Sequence, residues 1–316
     1  MLPIASSQSM EHRPKLSIVI CTYNRAHFLG DTLKSLADQG FPASDYELLL
    51  VDNASTDATP ALAQDFASAH VNVPFRYVLE TRQGLSNARN RGIAEAQGDV
   101  LIFLDDDVRL EKNYLSIIQD FYAKHPEVMA TGNTIIPEYL YARPSWMSVY
   151  LAPLVGYHRW SQATRPYHGR KFPVGASMAF RKTVFAEVGD FNPALGRTGK
   201  VLGGNEEKDL FYRMRALGMS IWFLADAVVY HQIDDRRLTL DYVRRQAIGV
   251  GLSERIRLRQ KGGVAILGKV WEEGVKTLAT LVLSFGFVLR GSLAKAWMLL
   301  RFRVWVWRGL LGLGQA

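Results

Sequence analysis

Three consecutive aspartates, Asp105, Asp106 and Asp107, are the most chemically demanding feature of the sequence. They directly follow the apolar run LIFL at 101–104, and adjacent carboxylates repel one another unless they are paired or bind a cation. If strand geometry continues, Asp105 and Asp107 project to the same side, where a hard ion takes carboxylate oxygens together with substrate phosphates. The sequence therefore predicts a Mg²⁺ or Mn²⁺ site here, with a solvated acidic loop as the alternative.

A second acidic group, Glu206, Glu207 and Asp209, follows two glycines at 203–204 and opens an amphipathic helical pattern. Acidic residues in a first helical turn are also favoured by the helix dipole, which is the purely structural interpretation. The glycines favour a functional one, because they let the backbone close over a substrate that the carboxylates face. His231 ends a strand-like run, and it is either a structural histidine or, at the edge that carries the aspartates, a metal ligand or phosphate contact.

Two further segments have residue types that suit a nucleotide. Asp52 and Asn53 follow an apolar run and can hydrogen-bond a base or a ribose hydroxyl, although the Ser and Thr residues beside them are also ordinary helix caps. Residues 82–92 (RQGLSNARNRG) bring three arginines and two glycines to a helix start, which fits a nucleotide or a pyrophosphate. Neither GxxxxGK[ST] nor a strand followed by GxGxxG occurs, which disfavours a P-loop NTPase and a nicotinamide dehydrogenase.

These residues need a scaffold that brings them together, and the apolar runs of the chain predict one. Short runs rich in β-branched residues alternate with helical patterns, which is typical of parallel βαβ units in an open α/β sheet. Ligands of such sheets bind beyond the carboxyl ends of the strands, so the polar clusters that follow the strands converge on one edge. The predicted strands are 16–21, 47–52, 75–79 and 100–104, and the predicted helices lie near 26–38, 59–69 and 85–97.

The composition limits the class of protein. With 48% hydrophobic and 22% charged residues the chain can bury a core, which excludes a disordered or collagen-like protein. A single cysteine excludes an internal disulfide framework and a thiolate metal site. Residues 1–14 have no apolar run of signal-peptide length and are predicted to be disordered, so we expect the working face to be cytosolic.

The basic charge is concentrated at the C-terminal end. Residues 236–316 hold 15 Lys and Arg against 4 Asp and Glu, a net charge of +11, whereas residues 1–235 carry −3. The many apolar side chains among these cations disfavour nucleic acid as the partner. The uncharged stretch 277–289 has 13 residues and would be about 20 Å long as a helix, short of the roughly 30 Å hydrocarbon core.

We therefore interpret 236–316 as a helical tail that lies in the membrane interface, where the interleaved Arg and Trp residues of 301–308 suit the headgroup level. Two alternatives stay open. The tail is an amphipathic helical hairpin packed on its own domain or on a second subunit, or it crosses the membrane.

Six short segments occur in an order that resembles the family 2 glycosyltransferases, which have the A-type, nucleotide-diphosphosugar-binding fold. The resemblance spans 16–231 and implies an α/β, Rossmann-like and mostly parallel open sheet. It implies a catalytic domain over 15–235 and a C-terminal helical, membrane-associating tail over 236–316. The segments are TYNR at 22–25, VDNASTD at 51–57, RQGLSNARNRG at 82–92, LDDD at 104–107, GASMAFR at 175–181 and GNEEKDL at 204–210.

The resemblance also implies roles for individual residues. It makes Glu207 the general base, although the family usually has Asp at this position and Glu206 is a competitor. The metal, Mg²⁺ or Mn²⁺, would be held by Asp107, Asp105 and His231. The nucleotide-sugar would contact Thr22, Tyr23, Arg25, Asp52, Asn53, Arg82, Gly84, Asn87, Arg89, Asp105 and Asp106. The pocket for sugar and acceptor would contain Gly175, Ala176, Ser177 and Asp209.

The implied function is an inverting, metal-dependent transfer of a sugar from a nucleotide-diphosphosugar to a hydroxyl of a glycan or a polyprenyl- or lipid-linked acceptor. Cell-surface polysaccharide or glycolipid synthesis at the cytoplasmic face of the inner or plasma membrane would fit, with the protein bound peripherally or monotopically. Two other classes stay open: a non-catalytic scaffold that binds a sugar nucleotide, and a Mg²⁺-dependent phosphatase of the haloacid-dehalogenase type. The aspartate signature of that phosphatase usually closes the first strand, whereas 105–107 follow the fourth predicted strand. The donor, the acceptor and the oligomeric state stay open.

Overall fold

A single mixed sheet with helices on both faces forms the centre of the protein. The structure is a computed structural model that describes residues 14–169, 171–197, 206–259 and 263–313. The predicted disorder of 1–14 falls, apart from Pro14, outside the described residues, as do the two glycines at 203–204.

Four parallel strands form the first half of the sheet, as the sequence predicts. Helices cover both faces of these strands, so every residue of the second one is buried. The strands are β1 (Leu16–Thr22), β2 (Tyr46–Asp52), β3 (Phe75–Leu79) and β4 (Val100–Asp105), in the spatial order β3-β2-β1-β4. The crossover helices are α1 (Ala26–Ala37), α2 (Thr59–Ala69) and α3 (Leu85–Glu95).

The second half of the sheet contains antiparallel pairs. Its elements are β5 (Val108–Leu110), α4 (Tyr114–Lys124), β6 (Val128–Tyr139), β7 (Arg165–Pro166), β8 (Ser177–Arg181), α5 (Thr183–Val188), α6 (Glu206–Ala216) and β9 (Ser220–Ile233). The full order is β3-β2-β1-β4-β8-β6-β9-β5, with β7 paired to β9. Strand β8 is antiparallel to both β4 and β6, whereas β6 and β9 are parallel.

The α/β class is thus confirmed, but the sheet is mixed rather than mostly parallel. The chain enters β8 at the edge where β4 ends, because Asp105 N donates to Ala176 O and Leu104 lies opposite Ser177. A strand that begins where its neighbour ends has to run in the opposite direction. No local sequence pattern predicts where the chain enters β8.

The core fills both faces of the sheet, because successive strand residues point to opposite sides. Ile18 and Ile20 of β1 belong to the layer that is covered by α1, α2 and α4. Val19 belongs to the other layer, which is covered by α3, α5 and α6. In that layer Phe103 and Phe180 pack edge to face with ring centroids 6.0 Å apart. This packing on both sides fixes the strand ends that carry the aspartates.

Three helices follow the sheet: α7 (Leu240–Arg259), α8 (Gly263–Leu289) and α9 (Leu293–Leu311). Helices α8 and α9 form a hairpin whose turn contains Gly291 at φ +67°, a left-handed conformation that favours glycine. Helix α9 packs so closely on α7 that a Cβ on Gly309 would lie 2.1 Å from the carbonyl oxygen of Ile248. Within the described ranges, the protein has no helix with the length and apolar character that a membrane crossing needs.

A third apolar cluster joins these helices to the rest of the protein. Val243 of α7 and Val306 of α9 pack with Leu151 and Val155, which lie just before and within a short 3₁₀ turn at 152–155. Part of the predicted tail is therefore packed on its own domain, as one of the sequence alternatives proposed. Its association with a membrane stays a prediction.

Candidate active site

The ends of β1 and β4 give the central aspartate its partners. Thr22 donates its hydroxyl to Asp106 Oδ2 over 2.7 Å, and Arg25 Nε donates to Asp106 Oδ1 over 2.8 Å. Burial raises the pKa of Asp106 to about 6, because the Arg25 charge only partly offsets the loss of solvent and Asp107 adds repulsion. Thr32 of α1 also donates to the Asp106 carbonyl oxygen. Asp106 therefore connects the end of β4 to β1 and to α1.

Asp107 is buried, with 1% of its side chain exposed, and three basic side chains surround it. Its Oδ2 accepts hydrogen bonds from Arg25 Nη2 and, over 2.6 Å, from Arg237 Nη2. Its Oδ1 lies 3.0 Å from His231 Nε2. Burial by itself raises the pKa of Asp107, but His231, Arg237 and Arg25 together hold it well below its usual range. Asp107 is therefore ionised at physiological pH.

Three polar neighbours lie at the ring nitrogens of His231. Its Nδ1 lies 3.1 Å from the carbonyl oxygen of Val155, which can only accept a hydrogen bond. Its Nε2 lies 3.0 Å from Arg237 Nη1, which can only donate one. Nδ1 therefore carries a proton. Nε2 lies 3.0 Å from that donor and also 3.0 Å from an acceptor, Asp107 Oδ1, and it can bind a metal ion only in the form in which it carries no proton.

This arrangement fits a divalent cation. One ligand atom each from Asp105, Asp107 and His231 lies within 4.8 Å of the other two. Asp107 Oδ1 is buried and is satisfied by no hydrogen-bond donor among the described residues, and His231 Nε2 lies 3.0 Å from it. His231 Nε2 and Asp107 Oδ1, 3.0 Å apart, have the spacing of neighbouring ligands around a Mg²⁺ ion at ~2.1 Å. A backbone carbonyl that orients the histidine is also usual at metal sites.

Arg89 connects this group to the acidic residues of α6. It is buried on α3, its Nη1 donates to Glu206 Oε1 over 2.9 Å, and its Nη2 lies 4.0 Å from Asp105 Oδ1. The same Nη2 donates to Gly175 O over 3.3 Å. A Cβ at Gly175 would lie 3.1 Å from that nitrogen, so the absence of a side chain there lets the guanidinium approach. Glu206 is therefore the ion-pair partner of Arg89.

Glu207 is the carboxylate of α6 without such a partner in the part of the chain that the structure describes. Burial and then repulsion from Glu206 raise the pKa of Glu207 to about 7, and Arg89 offsets only part of this. A carboxylate with this pKa can take up a proton near neutral pH. The geometry therefore favours Glu207 over Glu206 as a general base.

A cavity of about 490 Å³ joins the two acidic groups. At its rim Gly84 begins the turn into α3 with φ +130°, and Asn53 Oδ1 accepts a hydrogen bond from Gly84 N over 2.7 Å. Convergence of the polar clusters on one edge is thus observed, whereas the contacts of these residues with substrate stay predictions. The predicted site residues that line the cavity are Thr22, Tyr23, Arg25, Asn53, Gly84, Arg89, Asp105, Asp106, Asp107, Gly175, Ala176, Glu206, Glu207 and His231.

Asp52, predicted to read the base, does not line this cavity. It is fully buried, and its carboxylate accepts hydrogen bonds from the Tyr77 hydroxyl over 2.6 Å and from Ser55 N over 2.8 Å. In this arrangement it orders the loop that follows β2. Its contact with a base stays a prediction.

The structure does not place Ser177 in the sugar pocket either. This residue is fully buried in β8, where its hydroxyl donates to Asn133 Oδ1 over 2.7 Å and lies 2.8 Å from the Tyr114 hydroxyl. Within β8, Ser177 shares the face of Ala179, which packs in the layer that contains Tyr114 of α4.

Arg82, Asn87 and Asp209 also lie outside the cavity lining. The Arg82 side chain is 70% exposed and pairs with Glu80, and Asn87 donates to the Gln83 carbonyl one helical turn earlier. Asp209 pairs with an arginine four residues later on α6, at 3.0 Å. Each side chain satisfies its polar atoms locally rather than at the cavity.

The sequence analysis missed the residues that line the cavity from beyond the predicted catalytic domain. Arg237 lies in the 3₁₀ turn Asp235–Leu238 after β9, within the segment assigned to the tail. Tyr242, Gln246 and Val250 line the cavity at four-residue spacing along α7. That spacing was a readable signal of one helix face. The predicted boundary at 235 therefore passes through the site.

The family model described as Glycosyl transferase family 2 matches residues 17–189, more than half of the chain. The chain belongs to glycosyl transferase family 2. This glycosyltransferase is therefore an enzyme that transfers sugars, as the six segments implied. The match ends before Glu206, Glu207 and His231, so the roles of these three residues depend on the geometry above.

Curated relatives are also glycosyltransferases. Glucosyl-dolichyl phosphate glucuronosyltransferase of Haloferax volcanii is 24% identical over 245 residues, which are 77% of this chain and 77% of the relative. Glycosyltransferase AglE of the same organism is 36% identical over 102 residues, 32% of this chain and 33% of the relative. The first similarity extends well beyond the matched family segment.

Solved structures confirm the fold of this glycosyltransferase. The mannosyltransferase PcManGT from Pyrobaculum calidifontis, in complex with GDP-Man and Mn²⁺, has a TM-score of 0.65 and 18% identity. The alignment covers 96% of this chain and 88% of that one. GalNAc-T7 with UDP, GalNAc and Mn²⁺ has a TM-score of 0.53 and 20% identity, covering 77% of this chain and 48% of that one. These similarities show the A-type fold.

Proposed function

We propose that this glycosyltransferase is inverting and metal-dependent, and that it moves a sugar from a nucleotide-diphosphosugar to a hydroxyl of a glycan or lipid-linked acceptor. The observation that carries the proposal is one cavity shared by Glu207, with a pKa of about 7, and by the Asp105, Asp107 and His231 cluster. A proton acceptor near neutral pH and a cation site for the leaving group are the two devices that this transfer uses.

The donor diphosphate is proposed to lie beside Asp107, which follows β4, and His231 of β9. Mg²⁺ or Mn²⁺, held by Asp105, Asp107 and His231, would supply positive charge beside the leaving diphosphate. The Mn²⁺ complexes among the solved structures, with GDP-Man in one and UDP in the other, support a nucleotide donor and this kind of ion. Arg25 and Arg89, which both line the cavity, add fixed positive charge.

The chemical step is proposed to use Glu207. Its carboxylate removes the proton from the acceptor hydroxyl as that oxygen attacks the anomeric carbon. The new bond forms on the face opposite the diphosphate, whose bond to the sugar breaks, so one displacement inverts the configuration. Glu206 keeps Arg89 in place during this step, because their buried ion pair is 2.9 Å long.

The acceptor is proposed to come from a membrane surface. One face of α8 is apolar and exposed, with side chains at helical spacing, while the opposite face packs on α9 through the 2.7 Å ion pair of Arg303 with Glu273. Arg290 and Lys295 flank the hairpin turn, where cations suit anionic headgroups. The exposed residues of this face are Leu267, Trp271, Leu278, Val282, Phe285 and Leu289.

We therefore propose that the enzyme is bound peripherally at the cytoplasmic face of the inner or plasma membrane and acts in polysaccharide or glycolipid synthesis. The name of the Haloferax relative, which specifies a dolichyl phosphate glycolipid, supports a lipid-linked acceptor.

The test of the reaction uses the full chain with a panel of nucleotide-diphosphosugars, Mg²⁺ or Mn²⁺, and lipid-linked acceptors in vesicles. The measurements are nucleotide release and the anomeric configuration of the product by NMR. We expect release that is lost with EDTA and in Asp107→Asn, and a product of inverted configuration. Retained configuration, or full turnover in EDTA, would overturn the proposed mechanism.

The test of the membrane surface is flotation with anionic and with zwitterionic vesicles. We expect binding to the anionic vesicles that Phe285→Glu on the exposed face of α8 weakens about tenfold or more. Val71→Glu, on the exposed connection before β3, is the matched control and leaves flotation unchanged. If the protein does not float but sediments as a dimer that Phe285→Glu disrupts, this face binds a second copy of the chain instead.

A further inference from the structure

Arg237 occupies the place that the proposed cation needs. It lies between β9 and α7 with 11% of its side chain exposed. Its Nη2 donates to Asp107 Oδ2 over 2.6 Å, and its Nη1 lies 3.0 Å from His231 Nε2. One guanidinium thus engages two of the three side chains that could hold a metal ion.

These contacts and a bound cation exclude each other. A metal ion bound by His231 takes the lone pair of Nε2, the atom that Arg237 Nη1 approaches to 3.0 Å, so the guanidinium and the ion compete for the same place. A guanidinium that stayed this close to a dication would also experience strong repulsion. Binding of a cation by His231 and Asp107 therefore requires the Arg237 side chain to leave.

The surroundings of Arg237 indicate which group its guanidinium contacts after it leaves His231 and Asp107. Its backbone N–H donates to Asp234 Oδ1 over 3.1 Å, which holds the turn, so only the side chain has to move. The side chain lines the shared cavity, and Arg25 also donates to Asp107 Oδ2, so this carboxylate keeps a cationic partner when Arg237 leaves. A diphosphate presents paired anionic oxygens that match the planar fork of a guanidinium.

We propose that Arg237 is a latch: without donor it occupies the cation site, and with donor it releases His231 and Asp107 and contacts the diphosphate. Arg237 is then a positioning residue for the cation and a binding residue for the donor. Cation and diphosphate bind with positive coupling, because each removes the guanidinium from the position in which it competes with the cation. This proposal rests on the metal-dependent function proposed above.

The experiment compares Arg237→Gln with Arg236→Gln in the full chain. Arg236 is the exposed neighbour in the same turn, and in the described parts of the chain it contacts neither Asp107 nor His231. Mn²⁺ alone is titrated by electron paramagnetic resonance, and UDP and GDP are then titrated by calorimetry at saturating Mn²⁺. We expect Arg237→Gln to bind Mn²⁺ about tenfold tighter than the wild type and the preferred nucleoside diphosphate about tenfold weaker. Arg236→Gln matches the wild type in both measurements.

Each outcome decides a separate point. If Arg237→Gln binds Mn²⁺ no tighter than the wild type, the competition is overturned. If it binds the diphosphate as well as the wild type, the donor contact is overturned. If Asp107→Asn binds Mn²⁺ like the wild type, or no protein binds it, the metal site itself fails and with it the proposed function. Arg237→Lys, which keeps the charge but not the fork, gives the same directions at smaller size and replaces Arg237→Gln if that variant does not fold.

Discussion

The carboxylates at the strand ends and those at the start of α6 face the same cavity, but cations are distributed unequally between them. Asp107 is surrounded by Arg25, Arg237 and His231, which hold its pKa well below its usual range. Glu207 has no ion pair in the described part of the chain, and burial raises its pKa to about 7. The first environment keeps a negative charge ready for a cation, whereas the second leaves a group able to accept a proton.

Glu207→Gln should have the largest effect on this comparison, because Gln keeps the shape of the side chain but cannot accept the proton. We expect turnover to fall about 10²–10⁴-fold with donor binding nearly unchanged. Single-turnover nucleotide release measures it, with Asp209→Asn, on the same helix but outside the cavity, as the control. Near-normal turnover in folded Glu207→Gln would remove the base assignment and make Glu206 the next candidate.

Arg89→Met removes the cation that stands between the two groups. Glu206 would then be a buried charge without its partner, and we expect the free energy of unfolding to fall by about 3–5 kcal/mol. Urea unfolding at pH 7 measures this loss. Arg91→Met on the same helix removes an exposed pair with Glu95 and should cost less than about 1 kcal/mol. Equal losses in the two variants would contradict the connecting role of Arg89.

The pH dependence of turnover should follow the ionisation of Glu207. Because only the ionised form accepts a proton, we expect turnover to rise about tenfold per pH unit below the pKa and to level off above about 7. An acid limb that persists in Glu207→Gln would belong to another group, and Asp106, with a pKa of about 6, is the nearest candidate.

The free energy of unfolding should fall as the pH rises, in the opposite direction to turnover. The raised pKa means that the folded state holds this proton more tightly than the unfolded state. The contribution of Glu207 to stability is therefore complete below its ordinary value of 4.5 and is lost as the pH rises through about 7. Urea unfolding at a series of pH values should show this loss in the wild type and not in Glu207→Gln.

Thr22→Val should have the smallest effect. It removes the 2.7 Å hydrogen bond to Asp106, and we expect a loss of about 1.5 kcal/mol in the free energy of unfolding, since the acceptor is charged. The pKa of Asp106 should also rise further, because that hydrogen bond lowers it. Chemical denaturation and NMR titration measure the two effects, and Thr22→Ser, which keeps the hydroxyl, should resemble the wild type. An unchanged pKa of Asp106 in Thr22→Val would contradict this account.

Much of the fold could be predicted because the strands and helices of its first half follow from local patterns of apolar and polar residues. Apolar runs that end in polar residues predicted β1 to β4. Because the carboxyl ends of parallel strands lie at the same edge of a sheet, the convergence of these polar residues could be predicted as well. The position of β8 between β4 and β6 could not be predicted, since it depends on where a long connection enters the sheet. Ser177 shows the same limit for the site, because its direction depends on the pleat of β8 and not on its motif.

The sequence by itself determined which residue types end the strands and open α6, and so where a cation and a base could be sought. Only the tertiary structure decided which carboxylate keeps its charge. Arg237 reaches Asp107 from 130 positions away, and Arg89 reaches Glu206 from 117 positions away. The reason is physical: the pKa of a carboxyl group depends on burial and on charges within a few ångströms, and distant segments supply both.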